Sequence, residues 1–155
     1  MKIISLLALA AILLTACKKN NSAPTLTNLE LLTGRNWQMI HEYLQVVGEP
    51  DKVDFITGDY TPCELDDIYR FLPYNTLVRS DSSIICNGTL HGFWSSSWSS
   101  DSALTHIFIS LANNYNYNFT VLQLDEQTLQ LQTRLTDYLQ NRVDYTYIFK
   151  AIPIK

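Results

Sequence analysis

Cysteine, glycine and cations are scarce in this chain. Three cysteines in 155 residues leave room for one internal pair at most once any one thiol is used elsewhere. The five glycines form no Gly-rich phosphate loop after a strand, and no serine sits in a nucleophile elbow. Eleven Lys and Arg stand against fifteen Asp and Glu, a formal net charge of −4, so there is no basic footprint for nucleic acid. Long apolar runs are missing too: the run from Ile3 to Leu14 falls short of the roughly 20 residues that a spanning helix needs. Neither an internal repeat nor a second domain boundary is visible.

What is present starts with "MKIISLLALAAILLTACKKNN". Lys2, the apolar run and the small residues Thr15 and Ala16 have the anatomy of a secretory signal, so export is expected. "LTAC", Leu14 to Cys17, also resembles the bacterial lipobox, which implies a lipoprotein signal peptide over residues 1–16 and a diacylglycerol on the Cys17 thiol. The alternative is an ordinary signal peptide with a cysteine near its cleavage site. Acyl chains on Cys17, at about 0.8 kcal/mol per buried methylene, would anchor the protein to a membrane while the polypeptide stays outside it. The expected location is the bacterial cell envelope, with the outer membrane favoured over the inner; "KKNN" after Cys17 does not specify a face. Residues 17–25 read as lipidated cysteine plus flexible tether, since "KKNNSAPT" lacks large apolar residues. Residues 26–155 read as one domain. Removing residues 1–16 takes away Lys2 and no acid, moving the net charge from −4 to −5.

"LTNLELLTG" predicts one short helix, with Thr27 and Glu30 as a capping box and Gly34 as its stop. "WQMIHEYLQVV" predicts a strand, ended by the turn-rich "GEPDKVDFITGDYTP". Period-2 runs follow: Ile107, Ile109 and Leu111 on one face; Tyr117, Phe119 and Val121; Leu129, Leu131 and Leu135; Val143, Tyr145, Tyr147 and Phe149. "DIYRFL", "TLVRS" and "NGTLHGFW" bring the total to about eight strands with hairpin-length connections, so the expected fold is all-β, a small antiparallel barrel or a sandwich with a short N-terminal helix.

With Cys17 lipidated and the rest exported, Cys63 and Cys86 are the remaining partners, and a disulfide between them is expected. Closing that loop is worth roughly 3 kcal/mol in the chain-entropy model. The alternative is two unpaired buried thiols.

"LLTGRNWQMI", then "CELDDIYRF", then Cys86 followed by "GFW", then "FTVLQLDEQTLQLQ" resemble the lipocalin-like domain of small envelope lipoproteins of gram-negative bacteria. The resemblance spans Leu29 to Phe149 and implies a lipocalin-like, up-and-down barrel with a helix near its mouth. It departs from the family pattern at "PYNT" and at "SSSWSSD", both of them at loops rather than in the frame of strands. It implies no activity or cofactor.

No constellation in the residues points to catalysis, and the protein reads as a non-enzyme. His41, His91 and His106 stand apart, without the partners of a zinc site. Glu64, Asp66 and Asp67, with Asp59 nearby, lack the spacing and central glycine of a calcium loop, which favours solvation or turn capping. "SSSWSSDS" reads as a hydrophilic hairpin loop, within which "DSA" resembles a bacterial O-glycosylation signal at Ser102. Tyr117, Phe119, Tyr145, Tyr147 and Phe149 would face a barrel interior, either lining a cavity for a small apolar ligand or filling it. Trp94 reads as core and Trp98 as an exposed ring suited to a sugar. Two readings follow: a tethered barrel binding a small apolar ligand, or a protein- or glycan-interaction module using its loops around a solid core.

Overall fold

The computed structural model describes residues 25–84, 93–111 and 115–153, with Thr57, Asp59, Phe93 and Trp94 described as backbone alone. Residues 1–24, with the expected signal peptide and Cys17, lie outside that set, as do Cys86 and His91. Among the described residues no helix is long and apolar enough to cross a membrane.

The chain enters through helix α1 (Asn28–Thr33). Its capping box forms as expected: Glu30 N donates to Thr27 Oγ1 at 3.2 Å, and Thr27 N donates to Glu30 Oε2 at 2.7 Å. Gly34 ends the helix by donating its N–H to the Glu30 carbonyl at 2.9 Å. A Cβ at Gly34 would stand 2.6 Å from that oxygen, so the tight exit requires a residue without one. Leu32 is fully buried, and its carbonyl accepts the Trp37 indole N–H at 3.0 Å, pinning the helix to the first strand.

Strand β1 (Asn36–Val46) is followed by β2 (Val53–Asp54) and two single-turn helices, α2 (Ile56–Asp59) and α3 (Pro62–Leu65). Next come β3 (Ile68–Leu72), β4 (Thr76–Ser80), β5 (Phe93–Ser100), β6 (His106–Ser110), β7 (Asn116–Leu124), β8 (Thr128–Thr136) and β9 (Arg142–Ile152). Each pairs antiparallel with the next from β3 to β9, and β1 joins β3 to β9, closing an eight-stranded up-and-down barrel with β2 as an addition to the edge of β1. This is the expected all-β barrel.

Closure is uneven. β1 pairs with β9 along its whole length, from Asn36↔Ile152 to Val46↔Val143. It meets β3 through Trp37↔Tyr69 and Gln38↔Ile68, and farther along the same edge is taken by β2. The chain from α2 to α3 backs the space between: Ile56 belongs to the core, and Tyr60 and Leu65 pack against it.

Two expectations need correction. The serine run is strand, not loop: in β5, Ser95, Ser97 and Ser99 are exposed while Ser96, Trp98 and Ser100 alternate inward. Pairing to β4 and β6 on both sides holds the segment extended despite its weak β propensity. Leu135 shares the face of the buried Leu129 and Leu131, but one residue from the end of β8 it is exposed.

The hairpin turns share a device. Asp125 Oδ1 accepts from Gln127 N and Thr128 N, each at 2.8 Å, between β7 and β8. Asp137 Oδ1 accepts from Leu139 N at 2.9 Å and Asn141 N at 2.8 Å between β8 and β9. Asp101 Oδ1 accepts from Thr105 N at 2.7 Å between β5 and β6. Each carboxylate takes up backbone donors that the reversing chain would leave unpaired.

Candidate functional site

Alternation along the strands turns one set of side chains inward, and they do not fill the space. A cavity of about 310 Å³ remains inside the barrel. Met39, Leu77, Ile109, Leu111 and Leu131 make its aliphatic wall. Tyr117, Phe119, Tyr147 and Phe149 make its aromatic wall, with Tyr69 and Phe71 from β3 beside them. Tyr117 stacks on Phe119 at 5.9 Å between centroids, and Phe119 meets Tyr147 edge-to-face at 5.8 Å. Tyr60 enters from the segment between α2 and α3, and Arg79 from β4.

Four of the six residues expected to contact a ligand thus line one space. Tyr145 does not: opposite Leu44 and Thr133 it is half-buried outside the lining. Trp98 departs further from expectation. It is 5 % exposed, meets Phe71 edge-to-face at 5.4 Å, and donates its indole N–H to the Leu72 carbonyl at 3.1 Å. It is core, and the exposed sugar-facing ring expected there does not exist; the side chain of Trp94 is outside the described part.

Of the polar groups of the interior, Glu42, Tyr60 and Arg79 were not singled out in the sequence; Asp67 was, as a solvated or turn-capping acid, but it is buried and paired with Arg79 instead. Glu42 is the clearest case. The strand pattern that turns Trp37 and Met39 inward would turn Glu42 outward, but a bulge between Met39 and His41 shifts the phase and sets Glu42 opposite Tyr147, buried. The Tyr60 hydroxyl donates to Glu42 Oε2. Burial first, and Glu42 second, push the Tyr60 phenol far above its ordinary value; burial and then the charge of Glu42 do the same to Tyr147. Asp67 is 3 % exposed and pairs with Arg79 at 2.5 Å. Burial raises the Asp67 carboxyl, Arg79 opposes that, and Asp81 adds to it. Arg79 also lies over the Tyr69 ring at 5.7 Å; burial works against its charge, but Tyr69 and Asp67 outweigh it and hold the guanidinium above its ordinary value.

The remaining candidates have local roles. Glu64 accepts from Thr61 N at 2.9 Å in a second capping box, and Asp66 accepts from Ser83 N and Ile84 N, each at 2.8 Å, so these acids cap turns as expected. No group of three metal-ligating side chains occurs among the described residues. His41 pairs with Asp54 at 2.9 Å and His106 with Asp101 at 3.2 Å. Cys63 lies in α3 with its Sγ 3.1 Å from Thr61 Oγ1, while Cys86 is outside the described residues. Ser102 is exposed at the tip of the β5–β6 hairpin.

No protein-family model and no curated protein matches the sequence. Among solved structures, the chain is similar to bovine odorant binding protein in complex with a selenium-containing odorant, with 13% identity, 87% of this chain and 79% of that one covered, and a TM-score of 0.49. The complex of the same bovine protein with undecanal gives 14% identity, 86% and 79% coverage and 0.48. Lobster apocrustacyanin A1 gives 12% identity, 75% and 58% coverage and 0.44.

Proposed function

We propose that this protein is a non-enzymatic, lipocalin-like lipoprotein of the bacterial envelope that carries a small apolar ligand in its barrel. The observation that carries the reading is the cavity itself: about 310 Å³ walled mainly by aliphatic and aromatic side chains. Small-molecule sites begin at about 300 Å³ and combine apolar walls with a few placed polar groups. The same space argues against the alternative of an interaction module built around a solid core.

The test uses N-phenyl-1-naphthylamine, an uncharged dye that brightens out of water. A saturable rise in fluorescence on mixing with the full chain is expected, and Leu111→Trp, which fills the cavity, should weaken it by about tenfold or more. No saturable signal in the unaltered chain would remove the ligand-carrying reading.

The tether rests on the N-terminal pattern and on Cys17. Cys17→Ser should move the protein from the membrane to the soluble fraction, and retention on the membrane would end that part of the proposal. The Cys63–Cys86 bridge belongs to the same exported chain; peptide mapping without reductant should recover the two peptides joined, and alkylated thiols at both positions would contradict it. A glycan on Ser102 would add its mass to the intact native protein, and an unshifted mass would dispose of it.

A further inference from the structure

The interior contains an acid without a cation. Glu42 is 7 % exposed and takes part in none of the ion pairs among the described residues. A buried carboxylate must find donors instead. Tyr60 supplies one, and Tyr147 stands directly across the strand pair. Both of these tyrosines line the cavity. A phenol that gives its proton to a carboxylate leaves its oxygen lone pairs for whatever lies on its other side, and the bond it makes strengthens it as an acceptor. The cavity therefore offers acceptors backed by negative charge, next to the rings of Tyr117 and Phe119. Carboxylate and aromatic faces together recognise a cation out of water.

Arg79 does not reverse this. Arg79 lines the cavity, but Asp67 already holds its guanidinium at 2.5 Å, whereas Glu42, behind Tyr60, has no cation among the described ion pairs. An anionic ligand would enter against that charge.

We propose that the barrel takes a small apolar molecule bearing a protonated amine, its ammonium at the Tyr60 and Tyr147 hydroxyl oxygens in front of Glu42 and its apolar body along the aliphatic wall. This rests on the ligand-carrying reading above and names the chemical class of the ligand.

The full chain is titrated at pH 7 with 2-phenylethylamine, 2-phenylethanol and phenylacetate by calorimetry. The amine should bind at least about tenfold more tightly than the alcohol, with the carboxylate weakest. Glu42→Gln should bring the amine-to-alcohol affinity ratio to within about threefold of one. Tyr60→Phe keeps the carboxylate and removes one oxygen, and should lower the ratio in part; it decides the matter if Glu42→Gln does not fold by circular dichroism. An amine no tighter than the alcohol, or a ratio that neither variant changes, overturns the amine assignment. If none of the three compounds binds while the uncharged dye still enters, the amine assignment alone falls; if the dye fails as well, both readings fall.

Discussion

Asp67 is the side chain most at odds with its surroundings. It is 3 % exposed, its Oδ2 takes the guanidinium of Arg79, and its Oδ1 has no partner among the described residues. Burial outweighs the guanidinium, and Asp81 adds to it, so the carboxyl titrates above its ordinary 3.8. A carboxyl with a raised folded pKa favours the folded state most when protonated. That contribution is complete below the unfolded value and is lost as pH rises through the folded one. The stability of the wild type relative to Asp67→Asn, which cannot ionise, should therefore fall as pH rises from 3.8. Urea unfolding of both proteins across the acid range reads this, and a relative stability that instead rises with pH would show that the guanidinium, not burial, dominates at this position.

Between residues and the whole barrel, the unit that decides most is the turn. The Asp137 carboxylate serves two backbone donors between β8 and β9, so Asp137→Ala should cost about 1 kcal/mol in thermal or urea unfolding. A change within about 0.3 kcal/mol would mean that the flanking strands alone hold the reversal. Local devices of this kind were legible in the sequence because they act over two to four residues: the Thr27–Glu30 box, the stop at Gly34, the alternation that brought Tyr117, Phe119, Tyr147 and Phe149 to one interior. What was not legible depends on partners far along the chain. Glu42 points inward because of one extra residue in β1, and no alternation rule registers a bulge before its partner strand is known. Tyr60 lies in a segment that reads as turns, yet its hydroxyl reaches an acid eighteen positions away. The Ser-rich β5 has weak propensity and strong neighbours on both sides, and the neighbours prevailed, taking Trp98 into the core with it.

For the molecule as a whole, the asymmetry of closure sets the pattern of stability. Amides in the long β1–β9 and β8–β9 ladders should exchange slowest with deuterated water, and those of β3 facing β1 fastest among the strand pairs that close the barrel, since two register pairs carry that contact. Hydrogen exchange followed by mass spectrometry measures it, and equal protection along both edges of β1 would show that the α2–α3 segment closes the wall as firmly as a strand would. A ring with one short joint also has a preferred point of failure. Strain from heat, or from an occupant wider than the resting cavity, concentrates where Trp37 and Gln38 meet Tyr69 and Ile68, next to the segment that delivers Tyr60 to the cavity. If cargo passes through that joint, loading and release are timed by how often the wall parts there, and a tightly bound and a weakly bound occupant of equal girth would enter at the same rate.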